Sequence, residues 1–498
     1  MNAANALRTQ MPLVELLSLV DSTVAEYGVM VRGVQTDSRK VIPGDLFIAV
    51  PGERHDGRQF IEQAVANGAV AVVAEPPVAG FVDTISIPLL EQVELAGELG
   101  FIAAKFYQKP SDTLSVVGVT GTNGKTTTSW LAAQLIRSMG KTCGVIGTLG
   151  STLGDNISDA VNTTPDAVTL QRGLAAWRDM DVDAVCMEVS SHALVQGRAN
   201  GVTFEAGVFT NLSRDHLDYH GTMEAYGRAK TQLFTTQELP YAIVNLDDSY
   251  TAKLLAVISD ETRVLTYSAS GNPSADVVIS DAVFSAEGIR AHIHSPWGDG
   301  TISSPLAGDF NLANLAASIT TAAVLTDDFS LLLTAVADLK PVPGRMQLIP
   351  NELDMQLVVD YAHTPDALEQ VLLALRPHVS GELITVFGCG GDRDSGKRSV
   401  MGRVACEHSD RCIVTSDNPR GENPAAIMQD IEAGCIGSYQ LVVDRAQAIE
   451  KALDSAGAGD CVLIAGKGHE HYQIVGAQRL HFSDEEQVLK ILASRGKS

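Results

Sequence analysis

Positive charge is scarce in this 498-residue chain: 36 Lys and Arg stand against 60 Asp and Glu, a formal charge of −24. A protein held to nucleic acid mainly through its phosphates needs the opposite balance, so no nucleic-acid partner is expected. An anionic substrate must then be met by a local basic site against an unfavourable overall field. Paired cysteines are missing too. The seven, at 143, 186, 389, 406, 412, 435 and 461, form no C-x-x-C pair, and several lie in apolar runs. Buried free thiols in a reducing compartment account for them most simply. No uninterrupted apolar run is long enough to span a bilayer, and Glu15 interrupts the run from Leu13 to Val20. Signal peptide and membrane insertion are both excluded on this reading, and a cytoplasmic location is expected. What remains, 45% hydrophobic and 19% charged residues, is ordinary for globular protein. The length suggests about three domains.

The stretch from Leu114 to Met139 carries the strongest signal. Leu114 to Val119 reads as a buried strand, and Trp130, Leu131, Leu135 and Ile136 recur at helical spacing, so a helix opens near Lys125. Between them lies Gly121-Thr122-Asn123-Gly124-Lys125-Thr126-Thr127. Glycines let the backbone approach phosphates, and the free N–H groups of a helix start point at them. Lys125 adds positive charge near the outer phosphates, and the Thr126 hydroxyl can reach Mg²⁺. The spacing departs from the usual P-loop: the first glycine belongs at Val119, whereas glycines occur at 118 and 121. The bland alternative is a strand-to-helix turn that happens to be glycine-rich.

Strand and helix patterns alternate on both sides of this stretch. The reading is an α/β chain of three domains. These are a small N-terminal α/β unit (1–90), a central P-loop-type, mostly parallel sheet with flanking helices (91–341), and a C-terminal Rossmann-like unit (342–498). Central strands are expected at Cys143 to Ile146, Ala184 to Met187, Gly207 to Phe209 and Ala242 to Val244. Hairpins follow between Val277 and Ser304, turning at Glu287-Gly288 and Gly298-Asp299-Gly300. Ligands of such sheets collect past the C-terminal strand ends. There stand Asn162-Thr163-Thr164, then Glu188 with Ser190, Gln196 and Arg198, then Asn211 to Gly221 with His216. Glu188 and His216 together suit a divalent cation beside phosphates, although either residue alone at a strand end is more often structural. Lys230, in a helical segment, reads by itself as an exposed surface lysine. The polar loops of the first region, around Thr36 to Arg39 and Glu53 to Arg58, are equally readable as ligand contacts or as surface turns.

Taken together these segments resemble the Mur ligase family along nearly the whole chain. The loop from Gly121 to Thr126 matches the family's ATP loop, including its spacing. The Glu188 segment, Asn211 to His220, Asn311, Arg345 and Asp360 to His363 match as well. Asp417-Asn418-Pro419-Arg420 matches the subgroup associated with diaminopimelate. The resemblance implies ATP and Mg²⁺ as cofactors and Lys125, Lys230, Glu188 and His216 as catalytic residues. Gly121, Thr122, Asn123, Gly124, Lys125, Thr126, Thr127, Asn311, Arg345 and Asp360 would bind ATP. Thr126, Glu188, His216 and Lys230, the last carboxylated to a carbamate, would hold metal. Thr36, Ser38, Glu53, Arg54 and His55 would contact the UDP end of a UDP-muramoyl dipeptide. Asn162, Thr163, Thr164, Ser190, Gln196 and Arg198 would hold its sugar-peptide portion. Arg393, Asp417, Asn418, Pro419, Arg420, Gly466 and Glu470 would select meso-diaminopimelate, with the Arg420 guanidinium suited to an extra carboxylate. The implied reaction is amide-bond formation through an acyl phosphate, by a monomer whose domains close on their substrates.

Three other readings compete. A folylpolyglutamate synthetase shares the ATP loop and the ligation chemistry but has no need of Asp417 to Arg420. A P-loop hydrolase or switch would turn over nucleotide without an amino acid, and no Asn-Lys-x-Asp motif occurs. A non-catalytic binding protein would not need Lys125, Glu188, His216 and Lys230 intact.

Overall fold

The computed structural model describes residues 10–17, 28–52, 55–79, 85–154, 156–158, 162–236, 238–285, 288–306 and 308–495. Three main sheets organise the chain, of four, eleven and six strands. In the largest, Cys143–Gly147, Ala184–Glu188, Ser115–Thr120, Ala206–Phe209, Tyr241–Asn245 and Arg263–Ser268 lie side by side in that order, all parallel. These strands are almost continuously apolar because helices cover both faces. Alternation along Ser115–Thr120 shows it. Val117 and Val119 pack with Leu131 and Leu135 of the helix Lys125–Ser138 and with Leu315 and Ile319 of the helix Phe310–Leu325. Val116 packs on the opposite face with Met187 and Phe209.

The chain leaves Ser115–Thr120 toward Cys143–Gly147 on one side and later reaches Ala206–Phe209 on the other. That reversal opens a crevice past Thr120, the place where open α/β sheets bind ligands. Gly118 does not serve the crevice. A Cβ there would lie 2.8 Å from the Phe204 ring, so this glycine makes room for core packing beneath the strand.

The far edge differs in one detail from expectation. Val277–Ser285, Gly288–Ser295 and Gly298–Ser304 form a meander, but Gly298-Asp299-Gly300 lies inside the last strand, and Pro296 and Trp297 make the turn. The strand continues because Gly298 pairs with Ser295, whose hydroxyl donates to the Gly298 carbonyl at 2.7 Å. The Glu287 half of the other expected turn lies outside the described residues.

The four-stranded sheet orders Gly33–Gln35, Asp45–Ala49, Ala71–Ala74 and Leu89–Glu91, all parallel. The helix Leu95–Phe106 packs on its core through Leu95, Leu99, Ile102 and Phe106, alongside Ala167 and Val168 of the central region. The six-stranded sheet runs Gln347–Leu348, Gln356–Asp360, Cys461–Ala465, Leu383–Phe387, Arg411–Thr415 and Tyr439–Val442, parallel except for the first. A separate hairpin, Tyr472–Val475 with Gln478–His481, is attached through Arg420, whose N–H donates to the Ile474 carbonyl at 3.0 Å. All seven cysteines are free. Among the described residues no helix is long and apolar enough to cross a membrane.

Candidate active site

The Lys125–Ser138 helix begins without a side-chain cap, after Gly124 at φ +82°. Its first intrahelical partner is the Gly124 carbonyl, reached by Thr128 N–H at 2.8 Å, so the N–H groups ahead of it are orphans that point toward the loop. The loop is braced from below. Thr210 Oγ1 donates to the Asn123 carbonyl at 2.6 Å, and Asn123 N–H donates to Asn211 Oδ1 at 2.9 Å. Gly121, at φ +149°, approaches Thr210 so closely that a Cβ would lie 1.9 Å from its hydroxyl.

Two lysine side chains converge on this loop. Lys125 Nζ donates to the carbonyls of Gly121 at 3.0 Å and Thr122 at 2.8 Å. Lys230 Nζ reaches the same Gly121 carbonyl at 2.6 Å and lies 4.3 Å from the Tyr226 ring centroid. Lys230 is 2% exposed, which corrects its reading as a surface lysine. It faces inward because the helix Met223–Thr231 buries Tyr226, Gly227, Ala229 and Lys230 together. Burial, and then the charge of Lys125, push the Lys230 pKa well below that of a free lysine. Lys125 is also lowered by burial, against the opposing pull of Glu188 and Asp215.

Glu188, 1% exposed at the end of its strand, accepts from Thr148 N–H at 2.8 Å and Thr148 Oγ1 at 3.1 Å. His216 is pushed down to about 3, chiefly by burial, so its imidazole is neutral and carries a lone pair at physiological pH. Thr164 Oγ1 donates to the Glu188 carbonyl at 2.9 Å and accepts from Ser190 N–H at 3.0 Å, and Arg198 donates to the Thr164 carbonyl at 3.1 Å. Gln196 donates to Tyr219 Oη at 3.3 Å. This expected sugar-peptide set is one network beside Glu188, with Asn162 exposed at its margin.

Residues past 342 complete the site. Arg345 stacks on Tyr361 at 4.3 Å and donates to Thr126 Oγ1 at 3.0 Å. Both Asp360 oxygens hold backbone, accepting from Met346 N–H at 2.6 Å and Ala362 N–H at 2.7 Å, so Asp360 fixes the linker. Arg420, at φ +52°, donates from Nη1 to the Gly391 carbonyl at 2.8 Å. Asp417 is buried, which would raise its pKa, but Lys467, Arg445 and Arg420 more than offset this and hold it below the ordinary carboxylate range.

One cavity of about 730 Å³ joins these sets. Thr122 to Thr127, Glu188, His216, Asn311, Arg345, Asp360, Arg393, Asp417, Asn418, Arg420, Gly466 and Glu470 all line it, as do Thr163 and Ser190. The first-region candidates stand apart from it. The Ser38 hydroxyl donates to Gln63 Oε1 at 2.7 Å, His55 is exposed, and Glu53 and Arg54 lie outside the described residues. Neither Thr36 nor Pro419 lines the cavity.

Sequence reasoning overlooked the bridge across the cleft. Asp215 Oδ1 meets Lys397 Nζ at 3.3 Å, while its Oδ2 meets His216 at 3.3 Å and His363 at 3.8 Å. Asn123 Nδ2 donates to Asp366 Oδ2 at 2.7 Å. The charged run from Asp392 to Arg398 was the available signal for Lys397, but nothing in it names Asp215 as partner.

The fold and site define a nucleotide-dependent enzyme of a known kind. The chain matches "Mur ligase family, catalytic domain" over residues 30–97, "Mur ligase middle domain" over 119–322 and "Mur ligase, glutamate ligase domain" over 344–468. It belongs to the Mur ligase family. It is 45% identical over 469 residues to a UDP-N-acetylmuramoyl-L-alanyl-D-glutamate--2,6-diaminopimelate ligase of Coxiella burnetii, covering 93% of this chain and 96% of that one. With the protein of the same name from Ectopseudomonas mendocina it shares 46% over 488 residues, 97% and 98% of the two chains. A solved structure of that name superimposes with a TM-score of 0.69 at 38% identity, covering 98% of this chain and all of the other. The MurF ligase from Thermotoga maritima in complex with ADP shares the fold, with a TM-score of 0.64 at 21% identity over 93% of this chain and 98% of that one.

Proposed function

We infer that this chain is an ATP-dependent ligase that joins meso-diaminopimelate to the D-glutamate of UDP-N-acetylmuramoyl-L-alanyl-D-glutamate, a step of peptidoglycan precursor synthesis. The observation that carries the reading is the shared cavity. It is lined both by Lys125, Thr126, Glu188 and His216 and by Asp417, Asn418, Arg420 and Glu470. A carboxylate is a poor electrophile. Transfer of the ATP γ-phosphoryl group makes it an acyl phosphate, the diamino acid's amine attacks the carbonyl, and phosphate leaves as the amide forms. Lys125 and the orphan N–H groups of its helix offset charge where two anions meet, the main task in phosphoryl transfer. Arg420 and Glu470 would hold the diamino acid in the same cavity.

The donor set fits a hard cation. Glu188 and Thr126 offer oxygen, and His216 offers a neutral imidazole. Among the described residues no group of three or more His, Cys, Asp or Glu side chains gathers to hold a metal, so phosphate oxygens and water would complete the shell, as magnesium favours. Bound there, Mg²⁺ would neutralise phosphate charge. Burial that pushes the Lys230 pKa well below that of a free lysine favours the neutral amine, the form that adds carbon dioxide, which supports a carbamate at Lys230. Thr36, Ser38 and His55 remain the proposed contacts for the UDP end, from a first domain divided from the second near residue 90, with a third beginning at 342. The same reading takes the protein to act as a monomer in the cytoplasm.

The test is phosphate release from ATP with UDP-muramoyl dipeptide and diaminopimelate, lysine or no amino acid. Turnover with diaminopimelate far above the other two is expected. Equal rates in all three would reject the ligase assignment.

A further inference from the structure

Beneath the cleft floor lies a cation that the reaction itself does not call on. Lys467 is 0% exposed and, unlike its neighbours Gly466 and Glu470, does not line the cavity. Its Nζ is 2.9 Å from Glu470 Oε2, 3.3 Å from Asn418 Oδ1 and 3.9 Å from Asp417 Oδ1, three side chains that do line it. An ammonium group has only donors, so it fixes which end of the Asn418 amide faces it. Asn418 Oδ1 accepts from Lys467 and from Ile474 N–H at 2.9 Å, which leaves Nδ2 to donate to Glu470 Oε2, also at 2.9 Å. Flipping that amide would set two donors against each other and two acceptors against each other. Lys467 therefore shares with Ile474 N–H the fixing of the Asn418 amide, and it alone of the two also holds the Glu470 carboxylate. The layer behind it is equally tied down: Arg445 donates to the Ala465 carbonyl at 2.9 Å and pairs with Asp484, both side chains at 0% exposure.

We propose that Lys467 is a positioning residue for the incoming diamino acid, locking Asn418 and Glu470 in the orientation the substrate meets. The proposal rests on reading Asp417 to Arg420, Gly466 and Glu470 as the diamino-acid subsite. It goes beyond that reading by giving selectivity to a side chain the substrate never touches.

The test is steady-state kinetics of Lys467→Met, which keeps the bulk and removes the charge. The KM for diaminopimelate should rise on the order of 10- to 100-fold, since a displaced contact of about 1 Å has effects of that size. The KM values for ATP and UDP-muramoyl dipeptide should stay unchanged. Lys467→Arg should restore most of the diamino-acid KM, and the Met substitution should cost less in a Glu470→Gln background than alone, because the two act through one network. If the Met variant does not fold, Lys467→Gln is read in the same way. An unchanged diaminopimelate KM, or equal rises for all three substrates, overturns the proposal. Arg420→Ala, run in parallel, separates the failures. A rise there without one at Lys467 sinks only the role of Lys467, whereas no rise in either sinks the subsite reading beneath it.

Discussion

Replacing Arg420 by Ala tests the proposed amino-acid subsite. Three of its contacts in the structure tie it to the protein rather than to a ligand. Its N–H donates to the Ile474 carbonyl, its carbonyl accepts from Gly476 N–H at 2.7 Å, and Nη1 donates to the Gly391 carbonyl at 2.8 Å. The two backbone bonds survive in the Ala variant, so the Tyr472–His481 hairpin keeps its attachment. The left-handed φ of +52° strains Ala as it strains Arg, by about 1–2 kcal/mol, so the substitution neither adds nor relieves backbone strain. What is lost is the guanidinium. Nε and Nη2 are not engaged by Gly391 and are the pair available to a substrate carboxylate. A buried charge-paired contact of this kind is worth about 2–5 kcal/mol, or roughly 30- to 4000-fold in affinity at 1.4 kcal/mol per decade. The diaminopimelate KM of Arg420→Ala should rise within that range, with the KM for ATP unchanged. Isothermal titration with each ligand would check the two separately. Equal loss of nucleotide and amino-acid affinity would refute the reasoning, because it would make Arg420 a general support of the cleft.

Other substitutions probe other layers. Gly121→Ala forces a Cβ to 1.9 Å from Thr210 Oγ1 at a backbone angle that side chains rarely adopt, so nucleotide binding should collapse while the rest of the fold stays intact by circular dichroism. Asp484→Ala strands the Arg445 charge in a site with 0% exposure on both sides, and urea unfolding should show a loss of about 3–5 kcal/mol. Asp417 gives a pH signature. Its folded pKa lies below its unfolded value of about 3.9, so its contribution is fully present above that pH and lost as pH falls through the folded value. The stability difference between wild type and Asp417→Asn, followed by urea midpoints, should therefore narrow below about pH 4; a gap that widened there would contradict the ion-pair account.

The strands were legible because both faces of each sheet are covered, which makes stretches such as Leu383–Phe387 buried end to end and apolar at all but Thr385. The turn after Thr120 stood out for a different reason: Gly121, Gly124 and Lys125 suit phosphate chemistry, and the structure places them between a strand and a helix start. Side-chain direction was not legible. Lys230 sits in a helix whose sequence, Met223 to Thr231, is polar enough to pass for a solvated surface, yet four of its residues are buried and Lys230 reaches the Gly121 carbonyl. Nothing local distinguishes a lysine that faces water from one that faces the Gly121 carbonyl. That choice is made by a loop about a hundred positions earlier, reached only through the tertiary fold.

The same limit explains the cleft. Asp215 looks like one acidic residue in a polar string, and Lys397 like one base in a charged run. Their meeting at 3.3 Å depends on how two separate sheets are set against each other. The link is direct, because Arg345 in the connecting segment touches Thr126 of the ATP loop, while a Cβ on Gly344 would lie 2.2 Å from the His469 nitrogen in the loop that carries Glu470. Two successive residues thus bear on both loops. A rotation of the last sheet that displaced Arg345 would disturb its hydrogen bond to Thr126. On the proposed roles, activation of the carboxylate and arrival of the amine would share this one connection, which suits a reaction whose acyl phosphate would be lost to water if the two fell out of step.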